Sequence, residues 1–292
     1  MLDSIEDVIS RVEKLPTINT VAFEVLHLCS DKEIPIPRLV KVISGDHSLT
    51  AQILKVANSG YFNYPRTIYS LDRAIVILGF NLLRDIAVSL AVFSVYNGFK
   101  TNGFINLSQL WQHTLRTGLI LKILAEEYDQ ENKDILYITG LLHDIGKLVL
   151  VNALKEDYAF ILEKCHQERK PLFSVEKKFL GFEHSEVGAR LLEKWNLPPE
   201  VVTIVRYHHE PSRYPERDDI APRIRWVYFG NILSNLIMQE ENKTLEHIIE
   251  NEPEFPIHFS YSSEDFTQIL QLVESELQDH QDYLKLFEVG TL

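Results

Sequence analysis

Apolar residues recur along this chain at helical spacing, and its 12 glycines and 12 prolines fall between such stretches rather than inside them. The pattern predicts a nearly all-helical fold. Asp3-Ser4 opens a first helix with Ile5, Val8, Ile9 and Val12 on one face, and Leu15-Pro16 stops it. Val21, Val25, Leu28 and Cys29 mark a second helix, and Leu39, Val40 and Ile43 a third that starts at Pro37. Asp46-His47-Ser48 opens a fourth, which carries Leu49, Ile53, Leu54 and Val56 up to Asn58-Ser59-Gly60. After a turn-rich stretch over 61–70, the apolar segments 71–78 and 81–96 are separated by Gly79. The run from Asn97 to Gly103 reads as a loop and sets the expected end of an N-terminal helical subdomain, residues 1–105.

The second half begins with a helix near Asn106 that carries Trp111, Leu115, Leu119 and Ile123 on one side, with His113 on the neighbouring stripe beside Thr117, Ile120 and Leu124. A single helix is expected from Ile135 through Leu150, with His143 and Asp144 about 100° apart around its axis. Both can reach one ion only if a helix end is aimed at it. Further on, His184, Val187, Gly188, Leu191 and Trp195 share one helix face, where Gly188 permits close approach of another helix. Pro198-Pro199 restarts the chain as a helix delivering His208-His209-Glu210 before Pro211, and residues 224–238 are apolar nearly all round, as in a buried helix. These elements form the expected second subdomain, 106–240. Residues 241–292 are acidic with weaker periodicity and read as a helical extension.

Length alone suggests two domains of ordinary size, although helical packing can merge them. A net charge of −13 and a pI near 5.3 oppose general affinity for nucleic acid or anionic lipid, so neither is an expected partner. The two cysteines, Cys29 and Cys165, give no disulfide framework and read as small buried hydrophobes. With an acidic N-terminus and no apolar stretch of membrane-spanning length, the expected location is a reducing cytoplasm. No Gly-rich phosphate loop, serine nucleophile elbow, Cys-His signature or fixed-period repeat is present. The chemistry concentrates instead in Gly140-Leu141-Leu142-His143-Asp144-Ile145-Gly146-Lys147, with further histidines at His113, His184, His208 and His209. Imidazole nitrogen together with carboxylate oxygen is the ligand set of a borderline divalent metal, which makes a buried metal centre the leading expectation.

These motifs resemble those of the HD superfamily of metal-dependent phosphohydrolases. From about Leu15 to Pro211 the chain resembles the HDOD branch, the HD-related output domain of bacterial signalling proteins. The matching pieces are Leu15-Pro16, the stretch 49–59, Ala74 to Gly79, Trp111-Gln112-His113, Gly140 to Lys147, His184 to Leu192, and His208 to Pro211. The resemblance implies an all-α, multi-helical bundle in which an N-terminal helical subdomain precedes an HD-like core, in a bacterial regulatory setting. It implies His113, His143, Asp144, His184 and His208 as ligands of one or two divalent transition metal ions (iron, manganese, zinc or nickel), with His209 turned away or supporting them from behind. The distant aspartate of the enzymes does not survive. Asn231 is the best-placed residue on its expected helix and is a weaker, neutral ligand. Lys147 matches a basic residue that meets substrate phosphate in the enzymes, so Asp144 and Lys147 are the catalytic candidates. Pro211-Ser212-Arg213-Tyr214-Pro215 departs from the Gly-Tyr-Pro signature, which counts against cyclic di-GMP hydrolysis. Two functions are therefore expected from the resemblance. One is a regulatory interaction or output module with a metal in a degenerate site, acting on other signalling proteins. The other is a metal-dependent phosphohydrolase acting on a nucleotide or another phosphoester.

Overall fold

A computed structural model describes residues 4–12, 20–29, 36–60, 64–99, 103–215, 218–238 and 243–287, among which there is no strand. The Leu15-Pro16 stop lies outside the described residues. Helix α1 (Ile5–Arg11) starts where Ser4 Oγ accepts from the Asp7 amide and Asp7 Oδ2 accepts from the Ser4 amide, a reciprocal cap. Then come α2 (Thr20–Cys29), α3 (Ile36–Ser44) and α4 (His47–Ala57), the last capped by Asp46 as its sequence suggests. Helices α5 (Leu71–Leu78) and α6 (Phe80–Gly98) meet at an angle of 120° across Gly79, whose φ of 79° suits a residue without a Cβ. No single helix among the described residues is long and apolar enough to cross a membrane.

The expected loop start at Asn97-Gly98 is still helical, because α6 is buried along most of its length and packing continues through Val95, Tyr96 and Phe99. Helix α7 (Leu107–Tyr128) follows, capped by Asn106. The single helix expected over 135–150 is two: α8 (Lys133–Leu142) and α9 (Ile145–Leu154), broken at His143-Asp144. Helices α10 (Glu156–Glu168) and α11 (Leu172–Leu180) lead to α12 (His184–Lys194), α13 (Pro199–Tyr207) and α14 (Ile220–Ile237). The acidic C-terminal stretch forms α15 (Leu245–Asn251), α16 (Phe255–His258), α17 (Ser263–Asp279) and α18 (Gln281–Leu286). It is docked rather than trailing, since α17 and α18 pack on α7 and the Trp111 indole donates to the Phe287 carbonyl at 2.9 Å.

One continuous apolar core links Val8 and Ile9 of α1 with Leu148 of α9, Leu191 of α12 and Phe287 at the C-terminal end. Two backbone approaches inside that core fix where the histidine-bearing helices sit. A Cβ on Gly140 of α8 would lie 2.7 Å from the Gly118 Cα of α7, which draws together the helices carrying His113 and His143. A Cβ on Gly146 of α9 would lie 1.9 Å from the His184 carbonyl oxygen and 2.7 Å from the Gly188 amide of α12. The close approach expected at Gly188 is thus glycine against glycine. Such a contact cannot be relieved by a side-chain rotamer, because both atoms met first are backbone. Gly146→Ala is therefore expected to lower the unfolding free energy by about 3 kcal/mol, the upper end of ordinary overpacking, as read from urea denaturation.

Candidate metal centre

Asp144 sits at the break between α8 and α9, with its side chain 1% exposed. Its Oδ2 lies 3.5 Å from both His113 Nε2 and His143 Nε2, and its Oδ1 lies 3.1 Å from His184 Nε2 and 3.9 Å from His208 Nε2. The two carboxylate oxygens thus face two sets of donors. One set is His113, His143 and Asp144; the other is Asp144, His184, His208 and His209, with the donor atoms of each lying within 4.8 Å of one another. The helix break produces this arrangement, since His143 ends one helix and Asp144 precedes the next.

Hydrogen bonds fix the ring tautomers. His143 Nδ1 donates to the Gly140 carbonyl at 2.7 Å and His208 Nδ1 to the Val205 carbonyl at 2.7 Å, each three residues back along its own helix. Their Nε2 lone pairs are left pointing at Asp144. Ser234 Oγ donates to the His113 carbonyl and accepts from His113 Nδ1 at 3.2 Å, which frees His113 Nε2 in the same sense. His113 Nε2 and His143 Nε2 then present lone pairs to each other across 3.3 Å, a repulsive contact that a shared cation converts into an attractive one. On the other side, His208 Nε2 and Asp144 Oδ1 are buried without a hydrogen-bond partner among the described residues. This donor set, with every second ring nitrogen of His143, His184 and His208 tied to a carbonyl or carboxylate, suits a divalent transition metal.

The electrostatics agree with that arrangement. Burial pushes the Asp144 carboxyl up, but the His143 imidazole, the Lys147 ammonium and a hydrogen bond from His184 hold it well below the usual carboxylate range. Burial drives His113 down to about 3, against the opposing pull of Asp144, and lowers His143, His208 and His209 as well. These four rings are neutral, as metal ligation requires. His184 differs: burial lowers it, but the carboxylate of Glu176 outweighs that and raises it to about 9. A proton on its Nε2 occupies the place a cation would take.

His113, His143, Asp144, His184 and His208 come together around this one centre. His209 is not turned away, because its Nε2 is 2.8 Å from His184 Nε2 while its ring stacks on Phe173 at 4.5 Å. Lys147 joins the cluster too, with its Nζ reaching Asp144 Oδ2 at 2.5 Å. Asn231 is buried, yet its Oδ1 accepts from Asn235 Nδ2 at 3.5 Å, and the residue of α14 that meets His113 is Ser234. Two partners went unread in the sequence, Ser234 and Glu176. Glu176 is fully buried on α11, where it accepts from His184 Nδ1 at 2.6 Å, from the His184 amide at 2.9 Å and from the Tyr158 hydroxyl at 2.5 Å. A signal for it existed: Leu172, Val175, Glu176 and Phe179 fall on one helical stripe, and a carboxylate on an inward stripe needs an internal partner.

The HDOD domain model matches residues 15–211. The chain belongs to the HDOD family. An uncharacterized protein of Treponema pallidum (strain Nichols) is 27% identical over 223 residues, 76% of this HDOD chain but only 42% of that protein. The chain therefore spans less than half the length of that relative. Among solved structures, an HDOD domain protein of unknown function from Geobacter sulfurreducens superposes with a TM-score of 0.78 at 22% identity, covering 98% of both chains. A candidate phosphohydrolase from Shewanella amazonensis SB2B gives a TM-score of 0.73 at 20% identity over 96% of this chain and 98% of that one. At these identities the likeness is one of fold.

Glu176→Gln keeps the size of the side chain and removes the charge that holds His184 in place. The expected result is a loss of metal affinity of about 10- to 100-fold, the usual cost of removing such an outer partner, measured by titration against a competing chelator.

Proposed function

We propose that this HDOD chain is a regulatory module of a bacterial signalling system, built around a centre that holds one or two divalent transition metal ions and acting on other signalling proteins. The observation that carries the metal is the pair of Nε2 lone pairs of His143 and His208 aimed from opposite sides at the two oxygens of Asp144, with His208 Nε2 lacking a hydrogen-bond partner among the described residues. His113, His143 and Asp144 would hold one ion, and Asp144, His184, His208 and His209 the other. The regulatory half of the reading rests on membership of the HDOD family and on the absence from α14 of the distant aspartate that the resemblance to the enzymes leads one to expect; the α14 residue that meets His113 is Ser234.

A second reading, a metal-dependent phosphohydrolase, is favoured by one observation: Lys147 stands on the carboxylate at the heart of the centre. A divalent ion bound there would supply Lewis acidity toward a phosphoryl oxygen and acidify water. For its part, Lys147 would hand its charge from Asp144 to an incoming phosphoester, while the buried Asp144 carboxylate stays ionised, as a metal ligand must be.

Elemental analysis of protein purified without chelator should find one to two equivalents of a transition metal, and His143→Ala should lose metal and melting temperature together, because an ion bound only by the native state stabilises it. Turnover of p-nitrophenyl phosphate or its diester by the loaded protein would select the enzyme reading. Metal without turnover selects the regulatory one, and protein that takes up no metal contradicts both.

A further inference from the structure

A cleft of about 680 Å³ separates α11 from the C-terminal extension, a volume suited to a small organic ligand. Pro171, Phe173 and Lys178 line it from the α11 side, and Glu252, Pro253 and Ile257 from the side of α15 and α16. The second wall lies beyond residues 15–211, so it is supplied by the extension and not by the stretch that matches the family. Much of the lining is apolar, and Ile257 is left 67% exposed beside it. The charged groups are uneven. Lys170 and Lys178, both in the lining, share Glu168 at 3.4 and 2.9 Å. Glu210 meets Arg213 at 2.7 Å, and Glu254 meets His258 at 3.0 Å. Glu252 differs from all of these, having no oppositely charged partner among the described residues. Its half-buried carboxylate accepts one hydrogen bond there, from the Tyr228 hydroxyl at a long 3.3 Å. Burial pushes the Glu252 carboxyl up, and only that hydroxyl opposes the shift. A carboxylate has room for about four donors, so most of its capacity on the cleft wall is unspent.

We propose that this cleft binds a small organic cation, an amine carried on a flat apolar body, with the nitrogen donating to Glu252 and the body lying against Phe173, Pro253 and Ile257. The class of ligand follows from the unspent charge. An acceptor-only group calls for N–H donors, and a charged donor makes a bond about twice as strong as a neutral one. An anion is disfavoured, because the lysines of the cleft are already engaged with Glu168 and Glu252 would repel it. The inference goes beyond the proposed function and does not rest on the metal: of the proposed metal donors, His209 alone lines the cleft, and no contact with it is invoked.

The test is calorimetric titration of the full chain with three probes that share an indole body: tryptamine, which is cationic, tryptophol, which is neutral, and indole-3-propionate, which is anionic. Wild type should bind tryptamine about ten-fold more tightly than tryptophol, and indole-3-propionate most weakly of the three. Glu252→Gln, which keeps the size and removes the charge, should weaken tryptamine by about ten-fold and leave tryptophol nearly unchanged, so that the preference disappears. Ile257→Ala, on an exposed side chain that the fold does not need, should weaken tryptamine and tryptophol by the same factor. Glu264→Gln, exposed on α17, should change neither. Chelator-treated protein should give the same affinities. Wild type that binds none of the probes, or binds indole-3-propionate as tightly as tryptamine, would overturn the proposal without any variant. So would Glu252→Gln with the wild-type preference, Ile257→Ala with wild-type affinities, or tryptamine binding lost on chelation, which would place the amine on the metal. Unchanged tryptamine binding in a protein shown to take up no metal would refute the metal reading and leave this one standing.

Discussion

Burying a carboxylate is expensive unless donors or cations surround it, and Asp144 is buried almost completely. Much of the HD-like half can be understood as the means of meeting that cost. Imidazoles approach from α7, α8, α12 and the end of α13, and Lys147 adds a full charge one turn along α9. None of these rings is free to rotate away, because carbonyls hold His143 and His208, Ser234 holds His113 and Glu176 holds His184. The site is rigid before any ligand arrives, which is what precise coordination needs.

That rigidity depends on packing at some distance from the carboxylate. The glycine contacts between α7 and α8 and between α9 and α12 bring backbones close enough for short imidazole and carboxylate side chains to meet. Helix α7 is in turn braced from both ends of the chain. Trp111, two residues from His113, packs on Phe93 and Tyr96 of α6 and on Phe287 beyond α18. Nearby, the hydroxyls of Ser89, Tyr137 and Tyr283 join α6, α8 and α18 in a buried group, with Ser89 and Tyr137 2.6 Å apart. Among the described residues, no bond joins the N-terminal helices or the C-terminal extension to Asp144, yet both bear on where His113 stands.

The helical fold was legible because apolar period and capping residues agreed, as at Ser4, Asp46 and Asn106. The inward faces of His113 and His184 were legible for the same reason. The break at His143-Asp144 was not, because the run from Ile135 to Leu150 is mostly apolar and holds no proline; at the turn His143 Nδ1 donates to the Gly140 carbonyl. Ser234 went unread because α14 is apolar nearly all round, so its helical phase toward His113 is not marked by any polar edge. Glu176 lay in a stretch whose many charges disguised one inward carboxylate. His209 follows His208 directly, and a helical reading sends neighbours apart; it joins the cluster because α13 ends at Tyr207.

The central claim is that Asp144 is shared between two groups of metal donors, and anomalous scattering from crystals of protein purified without chelator tests it most directly. The account predicts anomalous peaks beside Asp144, one among His113 and His143 and one among His184, His208 and His209, with Glu176 still on His184. Clean maps with no anomalous signal, and imidazoles hydrogen-bonded to one another and to Asp144 in place of a cation, would contradict it.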